Sequence, residues 1–227
     1  MVSKSIAIIP ARQNSKGVEG KNFKIFNGKP LVLWTIEFVK SLTFIDYAVI
    51  SSDSERIRKI SQDNNFNFML RPANLSLDTS STEECIIHVI SELSKKKKYF
   101  DYIFIFEPTT PLRKKKTIID AFNILQNQNL ESLMTVAKTD KLLASIKKNK
   151  FTPIQKKIFR RRQEREPLFY EVGVVYILKN DFFLKEKKIV SKNTFPYLVS
   201  NTESLDINSE EDFLMVKILH KNIFLKK

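Results

Sequence analysis

A run of cationic side chains follows the first apolar segment of the chain, Ser5–Ile9. Between positions 12 and 22, Arg12, Lys16 and Lys21 lie close to two glycines. Flexible cations and the exposed N–H groups of a glycine-containing loop both stabilise phosphate charge, and together they suit a triphosphate. The spacing is neither GxGxxG nor GxxxxGK[ST], the common phosphate-binding patterns. We therefore expect a nucleotide-binding loop of another kind.

Side chains that usually supply covalent or metal chemistry are scarce. The chain has one cysteine, Cys85, and two histidines, His88 and His220. One cysteine cannot form an internal disulfide, which favours a reducing, cytoplasmic compartment, and two distant histidines do not indicate a zinc site. Catalysis is therefore expected to rest on charge and positioning, without a cysteine nucleophile or a histidine base.

The excess of basic over acidic residues indicates which classes of molecule the protein could bind. With 39 basic and 25 acidic residues the net charge is +14, which is typical of proteins that bind nucleic acid, anionic lipid or phosphorylated small molecules. A composition biased toward Lys, Asn, Ile and Phe explains the lysine excess equally well. The basic residues are spread along the chain without a nucleic-acid-binding motif, and no apolar run approaches the roughly 18 residues of a membrane helix. We expect neither nucleic acid nor membrane as a partner.

The apolar pattern indicates the scaffold that positions these residues. Apolar runs typical of buried strands alternate with amphipathic stretches through the first two thirds of the chain. This alternation predicts an α/β protein with a mostly parallel sheet and helices on both faces, so that the cationic loop leaves the carboxyl end of the first strand. The predicted strands are Ser5–Ile9, Tyr47–Ser51, Phe66–Leu70, Tyr102–Phe106, Ser132–Ala137, Phe169–Leu178 and Phe195–Val199. The predicted helices are Leu31–Leu42, a second that Asp53 or Ser54 caps and that ends at Asp63, Thr79–Leu93, Lys115–Leu125 and Ser209–Leu219.

One segment breaks the alternation. Residues 138–168 are rich in Lys, Arg and Gln, have no clean period and include Arg160-Arg161-Arg162. Because the regular pattern resumes after this segment, we interpret residues 1–227 as one domain and residues 138–168 as an excursion from it, which is expected to serve as a dimerisation arm.

Five short blocks of sequence resemble, in the same order, those of the CMP-sialic acid synthetases, also called acylneuraminate cytidylyltransferases. The likeness extends from about Ile6 to Val216. The blocks are Ala11–Asn22, Ser51-Ser52-Asp53-Ser54, Leu70-Arg71-Pro72-Ala73 with Asp78-Thr79-Ser80-Ser81-Thr82, Pro108-Thr109-Thr110-Pro111-Leu112-Arg113, and Ser204-Leu205-Asp206-Ile207-Asn208. The resemblance implies a Rossmann-like nucleotidyltransferase fold, a homodimer and the loading of an acidic nine-carbon sugar onto CMP from CTP.

The resemblance also implies roles for individual residues. It implies that Asn22 reads the cytosine and that Arg12, Lys21 and Asp206 act in catalysis. The residues expected to bind CTP are Arg12, Ser15, Lys16, Lys21, Asn22, Arg71 and Thr82. The residues expected at the sugar are Glu107, Arg162, Gln163, Tyr170 and Tyr176, with Arg162 or Lys147 facing the sugar carboxylate.

A divalent metal, Mg²⁺ or Mn²⁺, is implied at an Asp-x-Asp pair that the family places on a late strand, where residues two apart share a face. Here the pair is Asp206-x-Asn208, so that one charge is lost, whereas Glu107 stands where the family usually has Gln. We interpret Glu107 as a further metal ligand that restores the charge. A third departure is Val172, where the family usually has Asn, and it leaves the sugar's identity open.

We therefore expect a Mg²⁺-dependent cytidylyltransferase that activates sialic acid or a relative and releases pyrophosphate. An alternative is an enzyme for another acidic 2-keto sugar, such as legionaminate, pseudaminate or an eight-carbon ulosonate. Less favoured alternatives are a basic nucleic-acid-binding protein and an inactive member of the family.

Overall fold

A computed structural model describes residues 3–13, 17–155 and 161–224 of the 227-residue chain. The strands are β1 (Ser5–Pro10), β2 (Ile25–Phe26), β3 (Lys29–Pro30), β4 (Tyr47–Ser52), β5 (Asn67–Leu70), β6 (Tyr102–Ile105), β7 (Ser132–Thr139), β8 (Ala144–Lys147), β9 (Lys150–Pro153), β10 (Leu168–Lys179) and β11 (Phe195–Leu198). The α-helices are α1 (Leu31–Lys40), α2 (Glu55–Asp63), α3 (Thr82–Lys95), α4 (Lys115–Asn127), α5 (Asn180–Glu186) and α6 (Glu210–Phe224). Short 3₁₀ turns occupy Lys21–Phe23, Ala73–Leu75 and Arg162–Glu164.

Seven strands form one sheet in the order β11-β7-β10-β6-β1-β4-β5. Strand β1 pairs in parallel with β4 and β6, β4 with β5, and β7 with β11, whereas β10 is antiparallel to both of its neighbours. The predicted α/β class with a mostly parallel sheet is confirmed. Near-continuous apolar runs such as Ile6–Ile9 produce this sheet because strands covered by helices on both faces are buried on both sides.

Two apolar layers enclose the sheet. On one face, buried side chains of α1, α2 and α4 pack on β1, β6 and β10. On the other face, α3 and α5 cover the alternate residues of the same strands, including Ile6 and Ile8 of β1. The predicted helices on both faces are therefore present, and the sheet is held rigidly enough to position the loops that leave its carboxyl edge.

A third, smaller apolar cluster lies beside that edge. Phe213 and Val216 of α6 pack with Val18, Phe26 and Ile207. The cluster fastens the loop before α6 to the loop after β1, although these loops are separated by most of the chain. None of the helices in the described ranges has the length and apolar content needed to cross a bilayer.

The predicted start of the third helix is wrong by three residues. Helix α3 begins at Thr82, because the Ser81 side chain accepts a hydrogen bond from Glu84 N at 3.1 Å while Glu84 Oε2 accepts one from Ser81 N at 2.9 Å. This reciprocal pair is a capping box, and its Ser-x-x-Glu pattern is visible in the sequence. The amino end of α3, with its N–H groups, therefore lies at Ser81 and Thr82.

Within residues 138–168, the described part contains a hairpin that the sequence pattern did not indicate. Strands β8 and β9 pair from Ala144–Pro153 to Lys147–Lys150. The turn residues Lys148 and Asn149 have φ values of 47° and 61°, the two positive values that a type I′ turn requires. The excursion is shorter than predicted, since Leu168 and Phe169 pair with Thr139 and Lys138 in the main sheet.

Candidate active site

A polar cavity of about 300 Å³ opens at the carboxyl ends of β1, β4, β5 and β6. This is the edge at which open parallel sheets bind ligands. Six residues predicted for the site line it: Arg12, Lys21, Asn22, Arg71, Thr82 and Glu107. The cavity is also lined by Pro10, Ser80, Ser81, Pro108 and Thr109.

The loop after β1 is anchored through Arg12 and Gln13. Arg12 Nη1 donates to Asp78 Oδ1 at 2.7 Å and to the Leu77 carbonyl at 3.1 Å. Gln13 N donates to Asp53 Oδ1 at 2.7 Å, so Asp53 holds this loop and does not cap α2. Arg12 is therefore held at the rim of the cavity. Ser15 and Lys16 lie outside the described residues.

Lys21 and Asn22 form the buried floor of the loop. Lys21 Nζ donates to the Ile207 carbonyl at 2.6 Å, and burial lowers the pKa of this ammonium while Asp206 and Glu107 oppose the shift. Asn22 Nδ2 donates to the Arg12 carbonyl at 3.0 Å. Because a carbonyl can only accept, this bond fixes the orientation of the amide. Asn22 Oδ1 is then a buried acceptor without a hydrogen-bond partner in the described residues.

Arg71 enters the cavity from the end of β5. Its guanidinium donates from Nη2 to the Ser51 carbonyl at 2.9 Å and from Nε to Ser51 Oγ at 3.3 Å. Cys85 lies fully buried beneath it, and burial raises the pKa of the thiol, so Cys85 is a packing residue. Arg71 is thus fixed by β4, with only 6% of its surface exposed.

Asp206 and Asn208 lie side by side, but the predicted late strand is wrong. Residues 205–208 form an extended loop and not a strand, and Ile207 N donates to the Thr109 carbonyl at 3.0 Å. Asn208 Nδ2 donates to Asp206 Oδ2 at 2.9 Å. Asp206 Oδ1 is buried and has no hydrogen-bond partner among the described residues. A Cβ on Gly17 would overlap the Asn208 carbonyl oxygen, so this loop packs directly on the loop after β1.

Glu107 lies close enough to Asp206 for their charges to interact. Burial, followed by the charge of Asp206, raises the pKa of Glu107 to about 7, although Arg113 opposes the shift. Arg113 is itself buried, which lowers its pKa to about 9, and its Nη2 donates to the Glu107 carbonyl and to Thr110 Oγ1. Thr110 Oγ1 in turn donates to the Gly173 carbonyl at 2.9 Å. This network fixes the backbone that carries Glu107.

A second cavity of about 250 Å³ adjoins the first, and Thr82 and Glu107 line both. Tyr176 lines the second cavity, and its hydroxyl donates to Glu171 Oε1 at 2.6 Å. Burial, together with the charges of Glu107 and Glu171, raises the pKa of Tyr176 above its usual range, so the phenol stays a hydrogen-bond donor.

Tyr170 and Gln163, also predicted for the sugar, do not line these two cavities. The Tyr170 hydroxyl lies 3.0 Å from Ser204 Oγ. Gln163 lines a separate cavity with Lys138 and Arg165, and the side chain of Arg162 lies outside the described residues. Val172 packs in the hydrophobic core and lines neither of the two adjoining cavities.

Sequence reasoning missed five polar residues of the two cavities. Ser80 and Ser81, at the amino end of α3, and Thr109 line the first, and Glu83 and Glu171 line the second. The capping-box pattern could have identified Ser81. No local pattern indicates Glu171, because its place depends on an irregularity of β10.

Among the described residues, no group of three or more His, Cys, Asp and Glu side chains is arranged to hold a metal ion. Asp206 and Asn208, with Glu107 nearby, nevertheless fit a cation such as Mg²⁺, which usually takes only one or two protein carboxylates and completes its shell with phosphate oxygens. The observation behind this fit is the buried, unpartnered Asp206 Oδ1.

Comparison with known proteins shows the family to which the sequence is similar. The sequence description of a family called cytidylyltransferase matches residues 6–225. Post-translational flagellin modification protein B of Campylobacter coli is 31% identical, over 97% of this chain and 96% of that protein.

Two further relatives carry more specific names. N-acylneuraminate cytidylyltransferase of Streptococcus agalactiae is 26% identical over 94% of this chain, and this chain spans about half (52%) of that relative's length. CMP-N,N'-diacetyllegionaminic acid synthase of Legionella pneumophila is 26% identical over 94% of this chain and 95% of that protein.

A solved structure of CMP:2-keto-3-deoxy-manno-octonic acid synthetase complexed with CTP superposes with a TM-score of 0.72, covering 97% of this chain and 99% of that one. The two sequences are 14% identical, so this likeness concerns the fold alone.

Proposed function

The chain belongs to the cytidylyltransferase family, and from this premise we propose that it transfers CMP from CTP to an acidic nonulosonic sugar, sialic acid or a relative, with release of pyrophosphate. The names of the relatives from Streptococcus agalactiae and Legionella pneumophila favour this acceptor class. The name of the Legionella relative makes legionaminate a specific second candidate within the class.

The buried acceptor Asn22 Oδ1 is the observation that favours CTP as the nucleotide. Cytosine presents its exocyclic amino group as a donor, whereas uracil presents a carbonyl oxygen at the same place. An amino group would satisfy Asn22 Oδ1, and a carbonyl would leave two acceptors facing each other. Leaving a buried polar group unsatisfied costs about 1–3 kcal/mol, which selects cytosine over uracil roughly 5- to 150-fold.

Positive charge in the cavity favours the triphosphate. Arg12 and Lys21 supply fixed positive charge, and Ser80 and Ser81 lie at the amino end of α3, where backbone N–H groups and the helix dipole favour anions. We assign Ser15 and Lys16, on the same loop as Arg12, to the same task. In the reaction, the anomeric hydroxyl oxygen of the sugar bonds to the α-phosphorus of CTP as the bond to the β-phosphate oxygen breaks. Such a transfer requires alignment and neutralised charge more than covalent participation by the protein.

Asp206, with Asn208 and Glu107, would hold Mg²⁺ or Mn²⁺. When bound, such an ion neutralises phosphate charge and lowers the pKa of an attacking hydroxyl. Lys21 keeps the Asp206–Asn208 loop against the nucleotide loop through the Ile207 carbonyl. The proton of the attacking hydroxyl then passes to water, because Glu107 as a ligand of the ion is not free to accept it.

We also propose a homodimer that forms through the β8–β9 hairpin. Ile146 and Phe151 pair across the two strands and are 76% and 60% exposed. A two-stranded ribbon cannot bury an apolar face by itself, and a second copy would cover it. Ile146→Asp is expected to shift the protein from dimer to monomer in sedimentation at micromolar concentration, whereas Leu184→Asp, at an exposed position of α5, is expected to leave the dimer intact.

A cytoplasmic location is part of the proposal. The one cysteine, Cys85, is a free and fully buried thiol, which a reducing compartment accommodates.

Pyrophosphate release tests the catalytic proposal. The purified chain is incubated with Mg²⁺ and CTP against N-acetylneuraminate, diacetyllegionaminate, pseudaminate and an eight-carbon ulosonate, with ATP, GTP and UTP as control nucleotides. We expect release with CTP and one nonulosonate. Binding of CTP without release from any sugar would refute the acceptor class, and no CTP binding in calorimetry would refute the nucleotide as well.

A further inference from the structure

Glu203 is a buried carboxylate that the reaction proposed above does not use. It lies in the turn after β11, is 4% exposed and lines none of the three cavities described above. Burying an ionised carboxylate is costly unless hydrogen bonds satisfy it. Its Oε1 accepts from Lys114 N at 3.2 Å and from the Thr117 hydroxyl at 2.6 Å. Its Oε2 accepts from the Ser200 hydroxyl at 3.0 Å and lies 3.4 Å from Lys114 Nζ.

These bonds cap helix α4 from a distant part of the chain. The first backbone N–H groups of a helix have no partner within the helix, and the side chain of Lys114, the residue before α4, makes no capping hydrogen bond in the described part of the chain. Glu203 accepts from the Lys114 N–H instead, and its negative charge lies at the amino end of the helix, where the helix dipole favours it. The turn after β11 is thereby attached to α4.

This attachment fixes the loop that carries Asp206. Glu203 precedes Asp206 by three residues. Ile207, which follows Asp206, is fully buried and donates its N–H to the Thr109 carbonyl at 3.0 Å. Asp206 therefore lies between two anchors, and both anchors bond to the part of the chain that follows Glu107. The two carboxylates proposed to hold the metal ion are thus positioned relative to each other.

From this geometry, and resting on the proposed function, we propose that Glu203 is a positioning residue, which holds the Asp206 loop in the place that metal binding beside Glu107 requires. Without the carboxylate, the Lys114 N–H and the Thr117 hydroxyl lose a buried acceptor, and the turn is free to detach from α4. A displacement of about 1 Å at a reacting centre can lower a rate about 100-fold, and loss of a group that orients a metal ligand typically costs about 10- to 100-fold.

The kinetic test compares variants of Glu203 over a range of Mg²⁺ concentrations. In Glu203→Ala we expect kcat to fall at least about 10-fold and the Mg²⁺ concentration for half-maximal rate to rise, while the Kd of CTP measured without metal stays unchanged. Glu203→Gln keeps the Oε1 acceptor and should retain kcat within about threefold. The matched control is Asp46→Ala, which removes a carboxylate that accepts from Ser5 N at 2.7 Å, at the amino end of β1. This control should lose stability and keep its kcat.

Amide hydrogen exchange gives a readout that does not depend on turnover. It is measured by NMR on the protein without metal or nucleotide. The Ile207 N–H, which bonds to the Thr109 carbonyl, should exchange at least about 10-fold faster in Glu203→Ala than in the unmodified protein or in Asp46→Ala.

A second variant keeps the inference falsifiable if Glu203→Ala does not fold. Thr117→Val keeps the carboxylate and removes its shortest hydrogen bond, and it should change kcat and the exchange rate in the same directions by about threefold. An unchanged Ile207 exchange rate, or a kcat within about twofold of the unmodified protein in folded Glu203→Ala, would overturn the positioning role while the proposed function stands. Absence of pyrophosphate release from the unmodified protein would refute the proposed function, and the exchange rates would still decide whether Glu203 holds the loop.

Discussion

Replacing Gly17 with alanine tests whether the loop after β1 positions the Asp206–Asn208 loop. The added Cβ would overlap the Asn208 carbonyl oxygen, which belongs to the backbone and cannot rotate away. The two loops must therefore separate by about 1 Å or more, and a displacement of that size at a reacting centre can lower the rate about 100-fold. The packing cost itself is about 1–3 kcal/mol.

The assay is pyrophosphate release with CTP and the preferred sugar, measured over a range of Mg²⁺ concentrations. We expect kcat to fall by about 100-fold and the Mg²⁺ concentration for half-maximal rate to rise. Gly28→Ala is the matched control. Its φ of 94° makes alanine strained there, but no atom lies within 4 Å of the added Cβ. This control should lose stability and keep its kcat/KM. Activity of Gly17→Ala within about twofold of the unmodified protein would refute the positioning role.

Three further predictions follow from individual contacts. Asn22→Ala should reduce the preference for CTP over UTP roughly 10-fold or more in kcat/KM, and an unchanged ratio would show that another group reads the base. Glu107→Gln should lower turnover and weaken the Mg²⁺ dependence more than the surface change Glu131→Gln, and equal effects would eliminate Glu107 as a metal ligand. His220 packs against Trp34 and near Lys29, and burial lowers its pKa from 6.5 to about 4. The unfolded chain takes up this proton first, so stability present above pH 6.5 is lost as the pH falls toward 4. Between pH 7 and 5 the loss should be roughly 2 kcal/mol in urea unfolding, and His220→Gln should remove that part of the pH dependence.

The sheet and its flanking helices could be predicted because strands buried on both faces are apolar without interruption. Each long predicted element is present, with ends displaced by a few residues. The hairpins β2–β3 and β8–β9 escaped prediction because strands of two to four residues carry too few positions for a period to be visible. The amino end of α3 was predicted three residues too early, although the Ser-x-x-Glu pattern of its capping box is visible in the sequence.

Several residues that line the first cavity could also be predicted from the sequence. Arg12, Arg71 and Glu107 each follow a predicted strand, and the carboxyl ends of parallel strands meet at one edge. The parallel arrangement of the strands therefore brings these loops together, whatever side chains the loops carry.

The lining of the second cavity depended on tertiary structure. Glu171 and Tyr176 are five residues apart on β10, and an uninterrupted strand would direct them to opposite faces. The ladder to β7 shifts register between them, and Thr135 Oγ1 bonds to the carbonyls of Val172 and Val175 at the shift. After a bulge, side chains point to the opposite face of the sheet from the one that an uninterrupted strand would give them. The Tyr176 hydroxyl can therefore reach Glu171.

By itself, then, the sequence determined the α/β class, the edge of the sheet at which the first cavity opens and the cations that line it, since these follow from local apolar pattern and strand order. Tertiary structure decided which distant groups meet. Lys21 bonds to the carbonyl of Ile207, 186 residues away, and the charge of Asp206 acts on the buried Glu107. These long-range contacts set the pKa values of the site and leave some of its hydrogen-bonding atoms without partners. The reason is that burial and neighbouring charge depend on how the whole chain packs, not on any single segment.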